Sequence, residues 1–194
     1  ARSLHACGAR VTVAAASMVD ELAEAAMLGE VEWIRRDYRR GDLEGYFLAV
    51  SAPEDRRINA EIFREAEERG VLFNALDDPP HCQFIFPSVH RQGDLVLAIS
   101  TSGIAPALAV RLRERFGAEL GTEYAAFLRL SSEYRSAIAT QLPDFAQRRE
   151  LWYRLVDSEI IDLLKARETG DAKARFESLL LEAGVDVERA PALT

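Results

Sequence analysis

The sequence is poor in the residues that staple small or extracellular folds. Its two cysteines, Cys7 and Cys82, make no disulfide framework, and they read as reduced thiols of a cytoplasmic protein. Lysine occurs only at Lys165 and Lys173, so nearly every cation is an arginine. Guanidinium groups suit bidentate recognition of carboxylates, but a bias in genome composition produces the same skew. No apolar run reaches membrane-spanning length and no signal-like apolar stretch occurs, so a membrane is not an expected partner. The net charge of −8 argues against a general nucleic-acid binder, which presents a basic face. Repeats and low-complexity segments are also missing. So is a glycine-rich turn between a first strand and a first helix, the usual mark of a dinucleotide site.

What is present is enough for a substantial core. A chain of 194 residues with 48% hydrophobic and 29% charged residues needs neither disulfides nor metal to fold. Ala1–Cys7 reads as the tail of a helix closed by Gly8, and Ala1 in place of Met points to a trimmed or incomplete N-terminus. Short apolar runs at Arg10–Ala15, Val31–Ile34, Tyr46–Ser51 and Val71–Leu76 read as strands. Between them lie a helix from the capping box Ser17-x-x-Asp20 to about Leu28, a polar turn at Asp37–Gly45, and a helix from Ala52-Pro53-Glu54-Asp55 through Arg69. Strands without clean alternation, separated by amphipathic helices, predict an α/β fold with a mainly parallel sheet covered on both faces.

The pattern then changes. Phe84–Ser88 and Leu95–Ser100 are placed to pair as a hairpin through Arg91-Gln92-Gly93-Asp94, and Pro106–Phe116 is a helix with proline at its start. From Leu120 onward only helical periodicity remains. Leu120, Tyr124, Phe127, Leu128 and Ile138 share one face; Trp152, Leu155, Val156, Ile160 and Leu163 share another, on a helix beyond Pro143-Asp144. Thr169-Gly170-Asp171 starts a last helix through Ala183, and the tail beyond Asp186 reads as loose. The expected organisation is an α/β domain over 1–116, hairpin included, and an all-α domain over 117–194.

Polar chemistry collects where apolar runs end. Asp77 and Asp78, after the fourth strand, suit a general base, a cation ligand or a plain chain reversal. Ser100-Thr101-Ser102-Gly103, ahead of Pro106, suits an anion site or a simple helix cap. No base stands at nucleophile spacing, which excludes a serine hydrolase. His81, Cys82 and His90 match no structural zinc spacing, so no metal ligands are assigned. If Ala1–Cys7 is the first helix of a dinucleotide fold, its glycine turn lies before Ala1; the alternative is that no such turn exists.

Four pieces of the chain, in order and with matching spacing, carry a resemblance. They are GARVTVAA at 8–15, WIRRDYRRGDLEGYFLAVSAPEDRRIN at 33–59, FNALDDPPHCQFIFPS at 73–88 and LVLAISTSGIAPALAVRLRE at 95–114. The combination of N-x-x-D-x-P, F-I-x-P-S and A-I-S-T-x-G-x-A-P-x-L-A is specific. It resembles the siroheme synthase N-terminal family: precorrin-2 dehydrogenase, often joined with sirohydrochlorin ferrochelatase activity. The helical remainder resembles that family's dimerisation and substrate-covering region more loosely.

The resemblance implies a Rossmann-like domain and an NAD-dependent oxidation of precorrin-2 to sirohydrochlorin by a homodimer, with Fe(II) as a possible substrate metal for insertion. It implies Asp77 as the catalytic base, Ala16, Ser17, Ala52 and Pro53 as cofactor contacts, and Asn74, Ser100, Thr101, Ser102 and Gly103 as substrate contacts. The alternatives are a chelatase alone or a non-catalytic tetrapyrrole-binding protein. The chain departs from the family pattern in three ways. The family's G-x-G-x-x-A loop and first strand, just before Ala1, do not stand in the sequence. Ser102 replaces a common glycine, and Pro53-Glu54 replaces Thr-Asp. Also, no methyltransferase region follows, so another protein is expected to make precorrin-2. No acidic residue ends the Arg10–Ala15 strand and no arginine follows it closely, so NAD and NADP are not separated.

Overall fold

The computed structural model describes residues 1–53, 55 and 57–187. Contacts divide the chain into two compact units, 1–85 and 86–194.

In the first unit, a short helix α1 (Arg2–His5) is followed by β1 (Thr12–Ala14), α2 (Asp20–Met27), β2 (Glu32–Ile34), β3 (Leu48–Ser51), α3 (Arg57–Arg69) and β4 (Leu72–Ala75). β1 pairs parallel with β2, Val13 opposite Trp33, and β3 pairs parallel with β4, Ala49 opposite Phe73. Among the described residues the two pairs are not hydrogen-bonded to each other. α3 packs on one face of β3–β4: Ile62 and Ala66 meet Phe73 and Ala75 in a buried cluster with Leu43 and Val71. On the other face Val50 and Leu72 remain exposed, so the expected cover on both faces is not met among the described residues. The capping box is also corrected. Ser17 to Val19 stays non-helical, and α2 starts at Asp20 after Val19, with no side-chain cap.

The polar turn at 37–45 is tied down rather than loose. Arg36 grips Asp42 through two hydrogen bonds of 2.7 and 2.8 Å. Glu65, on α3 and fully buried, accepts from Tyr38 Oη at 2.5 Å, from the backbone N–H of Gly41 at 3.0 Å and from Leu43 at 3.4 Å. Arg69 Nε lies 2.7 Å from it, one turn along. Burial pushes the Glu65 carboxyl up, but these donors outweigh it and hold the group below its usual value.

In the second unit the hairpin is β5 (Ser88–Gln92) and β6 (Leu95–Ile99), joined by the two-residue turn Gly93-Asp94. Strand pairing begins at Ser88, not Phe84, and Gln92 pairs Leu95; Pro87 has no N–H to give to a ladder. Gly93 has φ 59°, and a Cβ there would sit 3.0 Å from Ala125 Cβ, so the turn needs glycine twice over. α4 (Pro106–Glu119) lies on the hairpin so closely that a Cβ on Gly117 would come within 2.8 Å of His90 Nδ1.

α5 (Thr122–Gln141), α6 (Phe145–Val156), α7 (Ile160–Lys165) and α8 (Thr169–Glu182) enclose a core of Phe127, Ile138, Leu151, Leu155, Ile160 and Phe176, among others. Asp144 caps α6 by accepting from Gln147 N at 2.9 Å. The single helix expected across Trp152–Leu163 is two. Ser158 Oγ donates to Leu155 O at 2.8 Å and accepts from Ile160 N, closing α6 and starting α7, while Val156 is exposed rather than core. Because the hairpin packs with α4 and α5, the division by contacts falls after Ile85, ahead of the boundary near 117 expected from periodicity. The tail expected to be loose lies, from residue 188, outside the described residues, as does Glu54.

Candidate active site

Parallel strands place ligands at their C-terminal ends. There, β3 ends in Ser51-Ala52-Pro53 and β4 ends in Leu76-Asp77, held side by side by Leu76 N donating to Ser51 O at 2.9 Å. Asp77 is exposed and left-handed, with φ 57°. That conformation costs most side chains dearly and Asp or Asn least, and it turns the carboxylate out of the strand line into solvent. Ala52 is exposed beside it, and Pro53 is half-buried. Ala16 and Ser17 sit exposed at the C-terminal end of β1.

Asn74 has a different role in the geometry. Only 4% exposed, it donates through Nδ2 to Phe84 O at 2.8 Å, and its Oδ1 has no hydrogen-bond partner among the described residues. Together with Gln83, whose side chain and backbone bond to Phe73 at 2.9 and 2.8 Å, it lays the 83–84 segment along β4. The Cys82 thiol donates to Ala75 O at 3.1 Å, inside the same corner.

Asp78, which the sequence leaves open between base, cation ligand and chain reversal, is the best-connected acid of the corner. Its Oδ2 accepts from Asn59 Nδ2 at 3.0 Å and meets His81 Nδ1 at 2.9 Å. Asn59 is fully buried on α3, and its Oδ1 accepts from Ser51 Oγ at 2.6 Å. The His81 ring meets Phe63 edge-on at 5.5 Å and belongs to a single 3-10 turn, Pro79–His81. Sequence reasoning missed Ser51 and Asn59. The available signal was Asn59 itself, a polar residue in register with Ile62 and Ala66 on an apolar helical stripe.

The loop Ser100–Gly103 belongs to the second unit, between β6 and α4. Ser102 stands at φ 54° and Gly103 at φ 78°, so Ser102 occupies a glycine-type conformation. The loop shapes itself: Ser100 Oγ accepts from Ser102 N at 3.1 Å, and Thr101 Oγ1 accepts from Ala105 N at 3.2 Å. Ser100, Ser102 and Gly103 are exposed.

A cleft of about 520 Å³ in the first unit, lined by Leu43, Gly45, Tyr46, Phe47, Arg69 and Val71, opens at the N-terminal ends of β3 and β4. It is at the wrong end of the strands for this chemistry. Among the described residues no group of three His, Cys, Asp or Glu side chains is placed to hold a metal ion, and no helix is long and apolar enough to cross a membrane.

Comparison with known proteins bears on family and fold. Residues 1–88 match the family described as "Putative NAD(P)-binding", and residues 123–180 match the sirohaem synthase dimerisation region. Siroheme synthase 1 of Pectobacterium atrosepticum is 34% identical over 92% of this chain, and the siroheme synthase of Pseudomonas aeruginosa is 35% identical over 93%. The chain spans only 37% and 39% of those two relatives. Among solved structures, a chain titled "SirC, precorrin-2 dehydrogenase" superposes with a TM-score of 0.70 at 24% identity, covering 90% of this chain and 86% of that one, a likeness of fold. The two regions follow one another in this chain: residues 1–88 belong to the putative NAD(P)-binding family and residues 123–180 to the sirohaem synthase dimerisation region.

Proposed function

We propose that the protein oxidises precorrin-2 to sirohydrochlorin with NAD, acting as a cytoplasmic homodimer. The observation that carries this is the presentation of Asp77: a solvent-facing carboxylate, turned out by a left-handed residue at the C-terminal end of β4, within the family's N-x-x-D corner. The siroheme synthases to which the chain is similar support the same reading.

Asp77 is assigned the base. Dehydrogenation breaks one C–H bond whose electron pair leaves as hydride; a second bond to hydrogen breaks heterolytically, its pair becomes the new double bond, and its proton needs an acceptor. When bound, oxidised nicotinamide supplies the hydride acceptor. Ala16, Ser17, Ala52 and Pro53 fit that group: three are exposed, all are short, and they end strands where a dinucleotide's backbone can approach closely. Ser100, Thr101, Ser102 and Gly103 offer hydroxyls and backbone N–H groups for the carboxylates of the tetrapyrrole. Asn74 supports the corner through Phe84. Fe(II) insertion is the further step that the same acceptor would serve, the metal being held by the tetrapyrrole nitrogens.

The test is calorimetric titration of the full-length protein with NAD and with NADP, followed by NADH formation from precorrin-2. Binding of NAD, NADP or both, with the reduced nicotinamide formed from precorrin-2, is expected, and the titrations decide between the two. Binding of neither ends the dehydrogenase reading, and metal insertion without any nicotinamide requirement would assign a chelatase instead.

A further inference from the structure

Asp77 answers the need for a base but leaves Ser51, Asn59, Asp78 and His81 unexplained. These four come from the end of β3, from α3 and from the turn after β4, and they form one unbroken series. Ser51 Oγ donates to Asn59 Oδ1 at 2.6 Å, Asn59 Nδ2 donates to Asp78 Oδ2 at 3.0 Å, and the same oxygen lies 2.9 Å from His81 Nδ1. The direction of the series is set by chemistry. The Ser51 hydroxyl occupies Asn59 Oδ1, so the Asn59 amide group must face the carboxylate as donor. An ionised Asp78 offers only acceptors, so Nδ1 carries the hydrogen toward it, and the lone pair of the neutral ring stands on Nε2. Phe63 meets the ring edge-on from the side, and the His81 side chain is 30% exposed. A purely structural tie would not need an imidazole with its basic nitrogen left over at the strand ends.

We propose that His81 is a second proton-transfer residue of the reaction, receiving through Nε2 the proton that Asp77 takes from the substrate and passing it to solvent. Asp78, Asn59 and Ser51 act as positioning residues. The inference rests on the assignment of Asp77 as base. Each turnover leaves one proton on Asp77, and the carboxylate must lose it before acting again. His81 follows Asp77 by four residues, closing the 3-10 turn Pro79–His81 that comes just after it. Asp78 holds the ring's tautomer and compensates the charge of the imidazolium formed in passing, as a carboxylate does for a histidine base.

The experiment is steady-state oxidation of precorrin-2 by full-length parent, His81→Ala and His81→Gln proteins, with folding followed by circular dichroism. Glutamine keeps a donor toward Asp78 without a basic ring, so it covers the case in which alanine fails to fold. Both variants are expected to lose kcat about tenfold or more with KM for precorrin-2 and for NAD within about twofold of the parent. Added imidazole should restore turnover to His81→Ala and not to His81→Gln. A folded variant with parental kcat, a loss confined to KM, or a folded His81→Ala indifferent to imidazole would overturn the role. A parent that does not oxidise precorrin-2 at all overturns the function itself, an outcome visible before any variant is compared.

Discussion

Asp77 and Asp78 are neighbours in the chain and opposites in environment. Asp77, at φ 57°, faces solvent. Asp78 turns inward, with 16% of its side chain exposed, to join Asn59 and His81 at 3.0 and 2.9 Å. One left-handed residue accomplishes the separation, because it reverses the direction of the chain between the two carboxylates. A site that must expose one acid and anchor the next can be built in two residues this way.

The left-handed backbone decides which substitution tests Asp77 fairly. Asn tolerates φ 57° as well as Asp does, so Asp77→Asn should melt at the parental temperature and lose most precorrin-2 oxidation. Asp77→Ala should in addition lose about 1 kcal/mol of stability to strain. Thermal melts beside NADH formation separate the two effects; parental turnover in Asp77→Asn removes the role of base.

Ser102 carries the same conformation at φ 54°, and among the described residues its side chain has no hydrogen-bond partner to offset it. Ser102→Gly should raise stability by about 0.5–1 kcal/mol, read as an upward shift in urea midpoint. If the Ser102 hydroxyl binds a substrate carboxylate, KM for precorrin-2 rises in the same variant; if only the loop backbone does, KM stays.

Glu65 makes the first unit sensitive to acid. Its folded carboxyl lies below the ordinary value, burial being outweighed by Tyr38, Gly41, Leu43 and Arg69. A depressed carboxylate contributes stability above its unfolded pKa, about 4.3, and loses it as pH falls through the folded value. Glu65→Gln should cost about 3 kcal/mol at neutral pH and flatten the decline of stability below pH of about 4.3. Urea titrations at neutral and acid pH measure both.

Tyr134 makes the helical unit sensitive to base. Burial first, and then the Glu177 carboxylate that accepts its hydroxyl, push the phenol up to about 12. A raised phenol contributes stability below the unfolded value of about 10 and loses it as pH climbs toward the folded one. Tyr134→Phe should cost about 1–2 kcal/mol near neutrality, and between about pH 9 and 11 it should decline by about 1 kcal/mol less than the parent. An equal decline in both proteins would mean that Tyr134 is not the group responsible.

Periodicity and motif spacing carried much of the fold and half of the site. The alternation of short apolar runs with amphipathic stripes such as Ile58, Ile62 and Ala66 already implied parallel strands with a helix between them. The turn chemistry of Gly93 and the proline that opens α4 were legible because single residues there have few alternatives. Asp77 was singled out through its motif, and its role stands as part of the proposal. Five of the strands were read one to three residues too long, since a run of apolar side chains continues past the ladder hydrogen bonds, and the first hairpin strand was read four residues too early.

Other features depended on residues distant in sequence meeting in space. Glu65, on a helix, gathers a turn more than twenty residues earlier, and nothing local marks it as buried. Ser51, Asn59, Asp78 and His81 span three segments, and their hydrogen bonds exist only once β3, α3 and β4 have packed. The break between α6 and α7 turns on one hydroxyl, Ser158, which could equally have faced water in an unbroken helix. Sequence alone determined which residues prefer strand, helix or turn, because those preferences come from φ/ψ sterics and the burial of periodic apolar faces. Tertiary structure alone decided which of two adjacent aspartates would face solvent and which would hold a histidine, because a carboxylate's role depends on the donors that packing brings within 3 Å of it.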